Sequence, residues 1–131
     1  MPVSFIDTNV LIYLASSDTI KADRAEQKVA AGGIISVQVL NELANVARRK
    51  LRLPWQQTRE FLSTIRSLLE VRPVTADVHQ AGLAVAARYG LSIYDAMIVA
   101  AALDAGCTTL WSEDMQDGLL IEGQLRVANP F

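Results

Sequence analysis

The chain has 131 residues, 51% of them hydrophobic, with one cysteine, one histidine and a formal net charge of -2. This length and apolar content describe one folded domain over residues 1–131 and not a disordered segment. They exclude an internal disulfide framework, a cysteine- or histidine-based zinc site and a strong global pull on polyanions.

The first element is a buried strand over residues 3–7, ending at Asp7, and a short helix follows around 9–15. No basic region precedes this apolar stretch, and no apolar run approaches the roughly 20 residues that cross a bilayer, so a cytoplasmic protein with no membrane partner is expected. Residues 19–31 read as a helix stopped by Gly32 and Gly33. "IIS" is a brief strand, and Ser36 is placed to cap the helix "VQVLNELANVARRK". Pro54 suits the first turn of the next helix, which runs to about Leu69. "VRPV" is a short extended piece, and a helix over about 76–89 ends at Gly90. Ser92 caps a helix to about 105, ended by Gly106; "TTLW" is a strand, 113–119 a loop or single turn, and "LRVAN" the last strand.

Strands that alternate with helices predict an α/β fold with a small central, mainly parallel sheet flanked by helices. Ligands of such sheets bind outside the carboxyl ends of the strands. Asp7 ends the first strand and Asp114 lies just past "TTLW". If these strands are neighbours, both acids stand on one sheet edge.

Each acid also has a plain structural reading. Asp7, followed by Thr8 and Asn9, can cap the first helix. Glu42 borders the apolar stripe of its helix, where surface glutamates are common. Asp95 shares a face with Ile98, Val99 and Ala102, but with Ser92 it also spells a capping box with Asp in place of Glu. Asp114 sits in "WSEDMQDG" among Glu113 and Asp117, where turn chemistry suffices. Taken together, three acids at element ends and one on a flanking helix cannot ionise side by side without a counter-charge. No basic residue is near Asp7, Asp95 or Asp114 in sequence. A divalent cation is the simplest compensation, and oxygen-only ligands favour Mg²⁺ or Mn²⁺.

Charge is unevenly spread. Arg48, Arg49, Lys50, Arg52, Arg59, Arg66 and Arg72 lie in one stretch, while residues 73–123 are acidic with Arg88 the only basic residue. A basic arm beside acids can hold a polyanion, and Arg48, Arg49 and Arg52 follow the helix that carries Glu42, where they can lie along a groove leading to the acids; a solvated helix face is the alternative. Trp55 and Trp111 can stack bases or simply pack. His79 is expected on a helix flank, and Cys107 as a small buried residue.

"FIDTNVLIYL", "SVQVLNEL" and "LSIYDAMIVAAALDAGCTTLWSEDMQDG", in this order and spacing, resemble the PIN-domain proteins, most of all the VapC-type toxins of bacterial toxin–antitoxin pairs. The resemblance covers essentially the whole chain. It implies a three-layer PIN-like fold and RNA cleavage dependent on Mg²⁺ or Mn²⁺, with Asp7, Glu42, Asp95 and Asp114 in the catalytic, metal-holding positions. It also implies that Asn9 supports Asp7, that Ser112 supports the fourth acid, and that Asp117 is an outer group at a variable position. A homodimer and a cognate antitoxin are the implied partners besides RNA. Two rivals remain. One is a phosphoaspartyl enzyme or receiver, for which Asn9 and the absence of any lysine after Lys50 are the wrong residues. The other is a PIN-like module that holds RNA or protein without cutting.

Overall fold

The computed structural model describes residues 3–131. The strands are β1 (Ser4–Ile6), β2 (Ile34–Ser36), β3 (Glu70–Arg72), β4 (Thr109–Trp111), β5 (Leu120–Ile121) and β6 (Leu125–Ala128). The helices are α1 (Thr8–Leu11), α2 (Thr19–Ala30), α3 (Val37–Arg49), α4 (Trp55–Leu68), α5 (Ala76–Tyr89) and α6 (Ile93–Asp104). They form a three-layer α/β structure around one sheet of order β3-β2-β1-β4-β6-β5, parallel except where β5 meets β6.

The strands are two to four residues long, and β1, β2, β4 and β6 are mostly buried, as suits a sheet covered on both faces. Phe5, Ile6, Ile35, Leu110 and Val127 are wholly buried in it. Strand order then fixes where a ligand belongs. From β1 the chain builds outward through β2 to β3, then returns to place β4 on the other side of β1. The order reverses at β1 and β4, which pair in parallel with Ile6 beside Trp111. The carboxyl ends at such a reversal form a crevice.

α6 differs from the amphipathic helix that the spacing of Asp95, Ile98, Val99 and Ala102 suggests. Ala96 through Ala102 are all buried, so the helix is apolar on every side and crosses the interior, with Asp95 half-buried at its first turn. Gly82 of α5 lets the two helices approach: a Cβ there would stand 2.8 Å from the Met97 sulfur. Among the described residues, no single helix is long and apolar enough to cross a membrane.

Three local expectations change. The first helix is one α-turn, Thr8–Leu11, that tightens into a 3₁₀ turn at Ile12–Ala15. Ser36 occupies the cap position of α3, but its hydroxyl makes no hydrogen bond and is fully buried. The segment before β6 contains a strand, β5, joined to β6 by a tight turn with Glu122 and Gly123 both at positive φ.

Candidate active site

Asp7 follows the last residue of β1, and its N–H donates to the Trp111 carbonyl at 2.9 Å, prolonging the β1–β4 ladder by one bond. The side chain is only 3% exposed. One carboxylate oxygen accepts from the Thr8 N–H at 2.7 Å. The other accepts from the Ser112 hydroxyl at 2.8 Å and from the Asn9 amide at 3.1 Å. Asp7 thus caps α1 and also presents a fixed carboxylate at the crevice. Burial pushes its pKa up to about 7; the Ser112 and Thr8 hydrogen bonds oppose the rise, and Asp95 and Glu42 add to it.

Glu42 is held from two sides. The Thr8 hydroxyl donates to Oε1 at 2.7 Å and the Gln38 amide to Oε2 at 2.8 Å. Asp95 is raised chiefly by burial, then by Glu42 and Asp114, while the Ser92 hydroxyl lowers it. That hydroxyl also accepts from the Asp95 N–H at 3.2 Å, which is half of the expected capping box. Asp114 is exposed in the loop after β4. Asp7, Glu42, Asp95 and Asp114 line one open pocket of about 270 Å³, together with Asn45 and Lys50.

Among the described residues, none of the four acids stands in an ion pair. The ion pairs among the described residues are Lys21–Glu113, Arg72–Glu70 and Arg88–Glu122. Nor do the acids converge: among the described residues no three His, Cys, Asp or Glu side chains stand close enough to form a ready-made metal cage. Like charges without a counter-ion separate, and Asp7 and Asp95 carry pKa values raised first by burial and further by their acidic neighbours. A pocket walled by carboxylate oxygens, one of them buried and unneutralised, has the donor chemistry of a hard divalent cation.

A family model for the PIN domain matches residues 4–116. The chain belongs to the PIN domain family. A toxin–antitoxin complex from Klebsiella pneumoniae contains a chain that is 27% identical to this PIN domain, with TM-score 0.73 and 98% of each chain covered. VapC20 of Mycobacterium tuberculosis, a toxin that cleaves the sarcin–ricin loop, shares the fold at 21% identity and TM-score 0.70, covering 85% of this chain and 89% of its own. VapBC2 of Rickettsia felis, bound to a promoter DNA fragment, shares it at 20% identity and TM-score 0.69, covering 97% and 98%. A comparison with curated proteins gave no match.

The remaining candidates of this PIN domain divide. Asn9 bonds Asp7, and its carbonyl oxygen accepts from the Glu113 N–H at 3.0 Å, tying the two loops of the crevice together. Ser112, expected beside the fourth acid, gives its hydroxyl to Asp7 instead. It acts on Asp114 only through the loop, by accepting from the Met115 N–H at 3.3 Å. Asp117 is not at the pocket. Its carboxylate accepts from the Asn129 N–H at 2.9 Å and pins the loop to the chain's last residues. Glu113 also turns away, to Lys21 at 2.6 Å.

The basic stretch does not form one track. Arg48 donates to the Leu53 carbonyl at 2.8 Å and stacks 4.3 Å from the Trp55 ring centroid. With Arg49, Asn45 and Trp55 it lines a recess that adjoins the acid pocket at Asn45. Arg52 lies outside that recess, exposed at positive φ in the turn after α3. Arg59 and Arg66 line a separate recess, and Arg72 bonds Glu70. His79 is exposed and Cys107 buried. Trp111 is half-buried with the Lys28 ammonium 4.1 Å from its ring centroid.

Three residues of the site escaped the sequence reading. Thr8 looked like part of a helix start, but its hydroxyl is what holds Glu42. Lys50 counted only as one charge of the basic stretch, and Asn45 was not singled out. The spacing 38, 42, 45 on one helix face was available in the sequence; the return of α3 over the crevice was not.

Proposed function

We propose that this PIN domain is an endoribonuclease that hydrolyses RNA phosphodiesters with the aid of Mg²⁺ or Mn²⁺, and that it is the toxin of a toxin–antitoxin pair. One observation carries the reading: four carboxylates from four separate segments face one pocket at the sheet's crevice, and none of them is in an ion pair among the described residues. Asp7, Asp95, Asp114 and Glu42 are the residues that would hold the ion. A bound divalent ion supplies Lewis acidity toward the phosphate and makes a water more acidic.

The chain's own residues do the rest. Thr8, Asn9 and Ser112 fix both oxygens of Asp7, so that carboxylate needs no reorganisation when substrate arrives. Thr8 and Gln38 do the same for Glu42. Lys50, at the pocket wall, meets the negative phosphate that the acids alone would repel. Arg49, in the adjoining recess, extends this contact along the backbone.

An antitoxin partner, a homodimer and a cytoplasmic location belong to the same reading. The partner is supported by the 27%-identical chain found in a toxin–antitoxin complex. Exposed Leu68 and Leu83 offer apolar surface for self-association. The test is cleavage of structured and unstructured RNA across a titration of Mg²⁺ and Mn²⁺. Cutting that requires the ion and stops with chelator supports the proposal. Cutting at full rate in chelator contradicts it, and binding without cutting would make the protein a holding module.

A further inference from the structure

α3 carries a polar stripe. Gln38, Asn41, Glu42 and Asn45 follow at the spacing that puts side chains on one helix face, opposite the buried Val39, Leu43 and Ala47. Beside the acid pocket this stripe walls a second recess, closed on its other side by Tyr94 and sharing Glu42 and Asn45 with the acids. Tyr94 directly precedes Asp95 in the first turn of α6 and is 67% exposed. Its ring stacks on no aromatic or cationic group among the described residues. The amides of Asn41 and Asn45 make no hydrogen bond among the described residues, and Gln38 spends only its N–H, on Glu42.

We propose that this recess is a nucleobase subsite, in which an unpaired base next to the scissile phosphate stacks on Tyr94 while Asn41, Asn45 and the Gln38 carbonyl contact its edge. Amides offer donors and acceptors together, which is what a base edge requires, and an exposed phenol ring offers the flat face. The core of a protein-docking recess is depleted of charge, whereas this one holds the Glu42 carboxylate. The base must be unpaired, because one held in a duplex cannot be splayed onto Tyr94. The subsite rests on the ribonuclease reading and narrows it.

The test is cleavage of a randomised, unstructured RNA pool by wild type, Tyr94→Ala, Tyr94→Phe and the Asn41→Ala/Asn45→Ala pair, with Asp7→Asn as the inactive reference. Tyr94→Ala should lower kcat/KM by about tenfold, the scale of one lost stack. Tyr94→Phe should recover most of it. Binding measured in the Asp7→Asn background should weaken with Tyr94→Ala at an unchanged salt slope, since stacking releases no counter-ions. The double variant should relax the nucleotide preference at one position flanking the cut. If Tyr94→Ala keeps kcat/KM within about twofold of wild type with the same nucleotide distribution, the subsite is wrong. If it changes only the sedimentation of the protein, the ring belongs to a protein interface and the subsite is again overturned. If Asp7→Asn cuts like wild type, or wild type cuts none of the pool, the ribonuclease reading falls and takes the subsite with it.

Discussion

Under the proposed reading Asp7 serves as helix cap and as ligand for the ion with the same carboxylate. Its carboxylate caps α1 and accepts three hydrogen bonds, yet burial and its acidic neighbours still push its pKa up to about 7. That shift has a definite sign. The folded value lies above the unfolded one, so between about pH 4 and pH 7 the folded protein holds a proton that the unfolded chain has released. In chelator, stability should therefore fall as pH rises through this window, by roughly 4 kcal/mol from Asp7. Asp95, also raised, adds in the same direction. Urea unfolding at several pH values should show this slope in wild type and a shallower one in Asp7→Asn; equal slopes would mean that Asp7 is not buried ionisable at neutral pH. The position of Asp7 was legible, because an acid between two apolar runs must be explained by burial. The partners of Ser112 and Asp117 were not. Each lies in the loop after "TTLW", where one residue's rotation decides whether a side chain meets Asp7, Asp114 or Asn129.

At the scale of elements, the helices of the second half were readable almost to the residue. Thr75 and Ser92 cap α5 and α6 with their side chains, and Gly90 ends α5 at φ +68°. Glycine there relieves the strain of a left-handed residue, so the stop signal and its cause coincide. β5 went unseen because it is two residues long and its turn is Glu-Gly in place of the stronger Asn-Gly or Asp-Gly signal. The basic stretch divides in the structure because sequence proximity says nothing about which way side chains leave α3 and the turn after it. Arg48 is committed to Leu53 and Trp55, whereas Arg49 faces the recess beside the acids. Arg49→Ala should weaken RNA binding and reduce the salt slope by about one counter-ion, with the cut position unchanged. Arg52→Ala should have a smaller effect. Filter binding across a salt series distinguishes them, and an unchanged slope for Arg49→Ala would place the RNA track elsewhere.

The whole molecule is arranged so that the reversal of strand order falls between β1 and β4, and α3 and α6 bring their acids to that point. Alternation of strands and helices made the parallel sheet legible; that β1 and β4 are neighbours is a tertiary fact which the chain order alone leaves open. The cost of this arrangement is mutual repulsion in the metal-free protein. A cation that binds only the folded state should reverse it, adding about 2.7 kcal/mol at a hundred times its dissociation constant. The melting temperature should rise with Mn²⁺ in wild type and less in Asp95→Asn. No rise up to millimolar Mn²⁺ would count against a metal site.

Asp7 stands where the fold alone would prefer a neutral side chain, and under the proposed reading its charge is there for chemistry. Asp7→Asn preserves shape and removes a ligand charge together with its repulsion of Asp95 and Glu42. The direct measurement is RNA cleavage at saturating Mg²⁺ by Asp7→Asn, alongside its melting curve in chelator. Cleavage should be abolished while the melting temperature holds or rises. Cleavage at the wild-type rate would contradict the claim.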